Sequence, residues 1–348
     1  MHARKLIGLS AWALLLFLIC FGLGYPTLNR YNPSLIPGLS DSAQYYRLVE
    51  YGPTAVTGHW RYRVLVPYLA KPVYWLARGR LGTWDPISFS LLVVNSFFCA
   101  LAAWVVGALA YRLSREVPTS MVAAFAYLLN FAVSNYHLSG LVDSADAFLF
   151  AWLTFALISE KWALLPVIGL VAGFSKETFI PIGLVFAATW VLSEDSADRT
   201  KRMLAAVAMA VLGVIVVVFV RSAIDHTLAL PWDIISQERS LSGWSADNLR
   251  NAVGGWSFWL TVAWLPFVFL AAKRVPHEWR RAALAGSIVV LVLSAWNNAP
   301  RGNSARPLFD VLGPLFAVSF ALTAELAQTS SIWSSGRRDA KNKQRPDQ

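Results

Sequence analysis

The feature that most constrains this chain is a series of apolar runs, each about one bilayer long, separated by short polar or basic segments. A helix needs about 20 mostly apolar residues to cross ~30 Å of hydrocarbon. By that ruler, runs lie near 5–24, 87–111, 117–136, 144–159, 162–175, 178–193, 203–221, 254–272, 282–296 and 307–327. They predict an all-α fold, a polytopic transmembrane helical bundle of about 10 spans, with interfacial helices in the first outer loop. Composition agrees: 56% of the 348 residues are hydrophobic and 14% charged, whereas a soluble domain is about 25% charged. The longest polar stretch is the segment 25–86. The expected organisation is therefore one transmembrane domain over 1–329, with a first outer loop at 25–86, and a basic tail at 330–348 that reads as disordered and cytoplasmic.

The net charge of +10 does not point to nucleic acid, because the basic residues lie in short clusters between runs, where they orient helices. With the N-terminus inside, 17 of the 30 Lys and Arg fall in cytoplasmic segments, and short outer loops hold 6. The prediction is a multi-pass protein of the inner (plasma) membrane with both termini cytoplasmic. Arg4 and Lys5 precede the first run, and FGLGYPTLN after it lacks a small-x-small cleavage site, so this run reads as an uncleaved anchor. Cys20 and Cys99 sit inside runs and read as small buried hydrophobes. A single helix over 162–193 would be ~48 Å long, so that segment is expected to break at Lys176-Glu177, as two spans or a re-entrant pair. Trp84, Trp162, Trp190, Trp232, Trp256, Trp296 and Trp333 lie at run ends and suit interfacial belts.

The ionisable residues outside the orienting clusters gather on the outer side. In the first loop, Asp41 precedes a short helix expected at about 42–51, with Tyr45, Leu48 and Val49 at helical spacing. Asp41 has two readings, an N-cap or a carboxylate held above the bilayer as a general base toward a hydroxyl. Residues 60–80 mix Arg61, Arg63, Lys71, Arg78 and Arg80 with aromatic and aliphatic side chains, the pattern of an interfacial segment. Arg61 or Arg63 either anchors that segment or grips a lipid-linked phosphate with its guanidinium fork. Asp143 and Asp146, in GLVDSAD, cap a helix, ligate a divalent cation or hold a sugar hydroxyl. Lys176 and Glu177 form an ion pair that requires a polar cavity. Arg301 and Arg306, in NNAPRGNSARP, sit in a loop suited to an anion or to solvent. Segment 222–253 adds Asp225, His226 and Trp232 with no specifying pattern. No His/Cys metal constellation, nucleotide loop or nucleophile elbow is present in the sequence.

In their order and common sidedness, DSAQYY, RYRVLVPYLA, LVDSAD, FSKETFIP and the arginine-bearing loop before the last span resemble bacterial GT-C type polytopic glycosyltransferases. The resemblance covers about 300 residues. It implies transfer of a hexosyl or pentosyl unit from a polyprenyl-phosphate sugar donor to a glycan or lipid acceptor of the envelope, on the extracytoplasmic face. It makes Asp41 the catalytic carboxylate. Arg61, Arg63, Lys176, Arg301 and Arg306 become candidate donor-phosphate ligands, and Asp143, Asp146 and Glu177 become supports for acceptor, sugar or metal. An inverting outcome is the family-like expectation. No cofactor is required by the sequence, and a divalent cation is left open. The chain departs from some subfamilies in having Asp41-Ser42 where they have paired acids. Two other function classes stand beside this one. One is a transporter or flippase for a lipid-linked or anionic solute, with Asn95, Asn130 and Asp310 as the polar residues within spans. The other is a non-catalytic subunit of an envelope-polysaccharide complex.

Overall fold

The computed structural model describes residues 2–30, 41–195, 197–232, 245–296 and 304–343. Among them no strand forms, and each of the ten apolar runs has a helical counterpart. In chain order the helices are α1 (His2–Arg30), α2 (Ser42–Glu50), α3 (Leu65–Ala77), α4 (Pro86–Ser114), α5 (Val117–Leu128), α6 (Asp143–Ile158) and α7 (Leu164–Ser175). They continue as α8 (Phe179–Ser193), α9 (Arg199–Asp225), α10 (Ala246–Val253), α11 (Trp256–Val262), α12 (Leu265–Leu270), α13 (His277–Trp296) and α14 (Ala305–Lys343). The chain is a polytopic helical membrane protein.

Four helices are individually long and apolar enough to cross a bilayer: α4, α9, α13 and α14 up to Gln328. The run near 254–272 is formed by α11 and α12, and the preceding α10 meets that stretch at 64°. The expected break at 162–193 is present. Lys176 is extended (φ −157°, ψ 127°) between α7 of 12 residues and α8 of 15. At 1.5 Å per residue these pieces are only ~18 and ~22 Å long.

Helix α4 is central, packing on α1, α3, α5 and α6. Its start is specified locally, because the Asp85 carboxylate accepts the Ser88 N–H at 2.7 Å and Pro86 occupies the first turn. It ends at Arg115 in the left-handed conformation (φ 64°). Helix α9 is apolar from Met203 to Val220 and presents one stripe outward, including Leu204, Val207, Val211, Ile215 and Phe219. A stripe of that composition on a membrane helix faces lipid. Its other side meets α7 through glycines. A Cβ on Gly169 would lie 1.9 Å from the Met209 carbonyl oxygen, and one on Gly173 2.7 Å from that of Gly213, so the two backbones touch where no larger residue fits.

One expectation changes. Trp190 does not join an interfacial belt but is buried in the core with Phe186 and Ala187. Helix α14 runs to Lys343. The stretch 330–343 lacks proline and carries Ala, Lys and Arg, which favour helix continuation.

Candidate active site

The site forms where four segments meet at one end of the bundle: the Asp41–α2 corner, the start of α6, the α7–α8 break and the first turn of α14. Each is fixed by its own sequence. The corner before α6 turns at Gly140 (φ 79°), and the Asn95 side chain of α4 donates to the Leu141 carbonyl at 2.9 Å. Ser144 in turn donates to Asn95 Oδ1, so Asp143 is held on both sides. The start of α14 is held by Ser304, whose hydroxyl donates to the Ala252 carbonyl at 2.6 Å. Helix α2 is tied to α4 by Tyr46, which donates to Asp85 at 2.9 Å.

Asp143 is the hub. It is 2% exposed, and its Oδ1 takes a hydrogen bond from Lys176 Nζ at 2.8 Å. Its Oδ2 lies 3.4 Å from Arg306 Nη1, and that same nitrogen lies 3.7 Å from Asp41 Oδ2. Burial works against the ionised Asp143, but the Lys176 ammonium and the Arg306 guanidinium outweigh it and hold the carboxyl well below the usual range. For Lys176 burial likewise opposes the charge, and Asp143 more than restores it.

Asp41 stands at the N-cap position of α2, yet its side chain accepts no capping hydrogen bond. The carboxylate is turned instead toward Arg306. The capping hydrogen bond of the first sequence reading is therefore absent.

Lys176 and Glu177 do not pair with each other. Consecutive residues at the break point in different directions, and Glu177 turns to Arg63. The guanidinium donates to both carboxylate oxygens, at 2.6 and 3.4 Å, and to the Tyr45 hydroxyl at 3.2 Å. Arg63 is buried, which disfavours its charge, but Glu177 and Tyr45 overcompensate and strengthen it. Burial raises the Glu177 carboxyl, and the Arg63 charge and hydrogen bonds bring it down to about 2. Burial pushes Tyr45 up, so its hydroxyl stays protonated.

The remaining sequence candidates divide. Asp146, one turn into α6, accepts from Ser175 at 2.6 Å and lies behind the hub. Arg61 points away, to Asp225 at 2.7 Å and to the Tyr62 hydroxyl at 2.6 Å. Arg301 lies outside the described residues. Asp143 and Asp146 gain no third ligand, since no group of three His, Cys, Asp or Glu suited to a metal forms among the described residues. Asn95 and Asn130 serve local structure, the latter accepting the Ala132 N–H at 3.0 Å.

Three residues were missed by sequence reasoning. His137, fully buried at the end of a π-turn, lies 3.2 Å from Asp310 Oδ1 beneath Arg306; only its place beside the polar GLVDSAD corner hinted at it. Tyr45 stood out only by its helical spacing with Leu48 and Val49. Arg221 sits in the last turns of an apolar helix, and its guanidinium lies 4.5 Å above the Tyr62 ring.

No family model matches the chain, and no curated protein matches it. Among solved structures, a match is found to the crystal structure of ArnT from Cupriavidus metallidurans bound to undecaprenyl phosphate. The chain is similar in fold to ArnT. The TM-score is 0.61 at 16% identity, over 89% of this chain. The chain spans 60% of the length of ArnT. At that identity the likeness establishes a shared helical architecture.

Proposed function

We propose that this chain is a membrane glycosyltransferase, moving a hexosyl or pentosyl unit from a polyprenyl-phosphate-linked donor to an envelope glycan or lipid acceptor on the extracytoplasmic face, with both termini in the cytoplasm. The observation that carries the reading is the Arg306 bridge between Asp41 and Asp143, with Lys176 on the far side of Asp143. Two cations and two carboxylates at the outer ends of membrane helices suit a reaction in which a hydroxyl loses a proton while a phosphate gains charge. The fold adds support, because the similar ArnT structure holds undecaprenyl phosphate.

In the proposed reaction the acceptor hydroxyl gives its proton to the Asp41 carboxylate as its oxygen attacks the anomeric carbon. The new C–O bond forms as the bond from that carbon to the phosphate oxygen breaks, and polyprenyl phosphate leaves with the electron pair. Attack opposite the leaving group inverts the anomeric centre. Lys176 and Arg306 stabilise the growing phosphate charge. Arg63, Tyr45 and Glu177 hold the first outer loop against the break that carries Lys176.

The test is Asp41→Asn in a transfer assay with polyprenyl-phosphate sugars. The expected result is a 10²- to 10⁴-fold loss of transfer at unchanged expression and folding. Transfer at the wild-type rate removes Asp41 from the role.

A further inference from the structure

His137 and Asp310 form a buried pair that the mechanism above does not use. Nε2 of His137 lies 3.2 Å from Asp310 Oδ1, with the two side chains 0% and 2% exposed. A buried polar pair is costly to desolvate and often stabilises a fold no more than apolar residues of the same volume. His137 Nδ1 meets no hydrogen-bonding partner among the described residues, which adds to that cost. The pair therefore does little that packing alone requires, and its role is in what it holds in place.

It holds the start of α14. Asp310 stands one turn after Arg306 on that helix, a spacing at which an arginine and an aspartate can pair along the helix itself. Here their described ion pairs lead to different elements: Arg306 meets Asp143 and Asp41 at 3.4 and 3.7 Å, and Asp310 meets His137. His137 closes the π-turn Val133–His137, a geometry found frequently at functional sites. The preceding residue of that turn, Tyr136, lays its ring 5.9 Å from the Arg306 guanidinium. Phe309, beside Asp310, packs on the rings of His137 and Tyr127 with centroids 5.5 and 5.2 Å apart. The turn thus grips α14 at two points one helical turn apart, and the same backbone leads on through Gly140 to Asp143, which Arg306 also meets.

We propose that His137 is a positioning residue for Arg306: by holding Asp310 it fixes the first turns of α14 so that the guanidinium stays between Asp41 and Asp143. The inference rests on the proposed glycosyl transfer, in which Arg306 stabilises charge growing on the phosphate. That charge is largest in the transition state, so a displaced Arg306 lowers kcat more than it changes KM.

The experiment measures kcat, KM and melting temperature of the full chain in nanodiscs, with undecaprenyl-phosphate-linked hexose and pentose as donors and an envelope extract as acceptor. The first variant is His137→Leu/Asp310→Leu, which replaces the pair with apolar side chains and leaves no buried charge behind. It is expected to melt close to wild type, to lose about tenfold or more in kcat and to keep KM within about threefold. In an Arg306→Lys background the same double change is expected to cost less than about threefold further, because the pair acts through Arg306. Wild-type kcat in a folded double variant overturns the positioning role and leaves the transferase reading standing. An equal loss in the Arg306→Lys background does the same. Absence of transfer by wild type overturns both. If the double variant does not fold, His137→Gln, which keeps a donor toward Asp310, takes its place. A kcat loss of about threefold that disappears in the Arg306→Lys background supports the role, and an unchanged kcat, or a loss that persists there, overturns it.

Discussion

Arg306 Nη1 stands between two carboxylates that are 102 positions apart in the chain, 3.4 Å from Asp143 and 3.7 Å from Asp41. One guanidinium thereby joins the Asp41 corner before α2, the start of α6 and the start of α14. Arg306→Lys keeps the charge but replaces a planar fork with a single ammonium. The expected outcome is a loss of transfer of roughly tenfold or more with little change in folding, since a lysine reaches one carboxylate at a time. Parallel measurement of kcat/KM and melting temperature checks it, and equal activity contradicts the bridge.

The Arg63–Glu177 pair makes a second prediction. Removing one partner of a buried pair leaves the other charge uncompensated, at about 3–5 kcal/mol. Arg63→Met and Glu177→Gln should each destabilise on that scale, and the double variant by clearly less than the sum. Chemical denaturation of the four proteins in detergent measures the coupling. Strict additivity contradicts a direct pair.

Acid should weaken the corner formed by His59, Arg63 and Glu177 in two steps. Burial, aided by the Arg63 charge, lowers His59 from 6.5 to about 4. The neutral ring therefore contributes stability above pH 6.5 that is lost as pH falls through 4. Glu177 is lowered from 4.5 to about 2, so its contribution is complete above 4.5 and is lost as pH falls toward 2. Unfolding midpoints followed from pH 8 downward should decline across both windows. Glu177→Gln should remove only the lower decline.

At the α7–α9 crossing, Gly169→Val places methyls against the Met209 carbonyl, which a Cβ alone would approach to 1.9 Å. Overpacking of this kind costs about 1–3 kcal/mol or more. Gly22→Ala, with nothing within 4 Å of the added carbon, should be neutral or slightly stabilising. Melting temperatures of the two variants separate the cases.

The helices were legible because membrane runs carry a strong one-dimensional signal: ten apolar stretches, and the break at Lys176, follow from length and composition. The site was half legible. Asp41, Asp143, Lys176 and Arg306 stood out as charges that a membrane chain keeps only for a reason. Their partners did not, because pairing is set by how helices cross. Nothing in Lys176-Glu177 says that one residue turns to Asp143 and the other to Arg63. Arg61 and Arg63, two residues apart, were equivalent in sequence; in space the first goes to Asp225 on α9 and the second to Glu177. Arg221 was invisible for the opposite reason, as a lone cation at the end of an apolar run resembles an orienting charge until its burial is known.

The most direct test of the central claim is to incubate the purified chain in nanodiscs with polyprenyl-phosphate-linked sugars and an envelope extract, and to measure free polyprenyl phosphate with the sugar transferred. The account predicts that both products form in equal amounts in wild type and fall together in Lys176→Met. Polyprenyl phosphate release at the same rate in Lys176→Met, or no release with any donor across hexosyl and pentosyl forms, would contradict it.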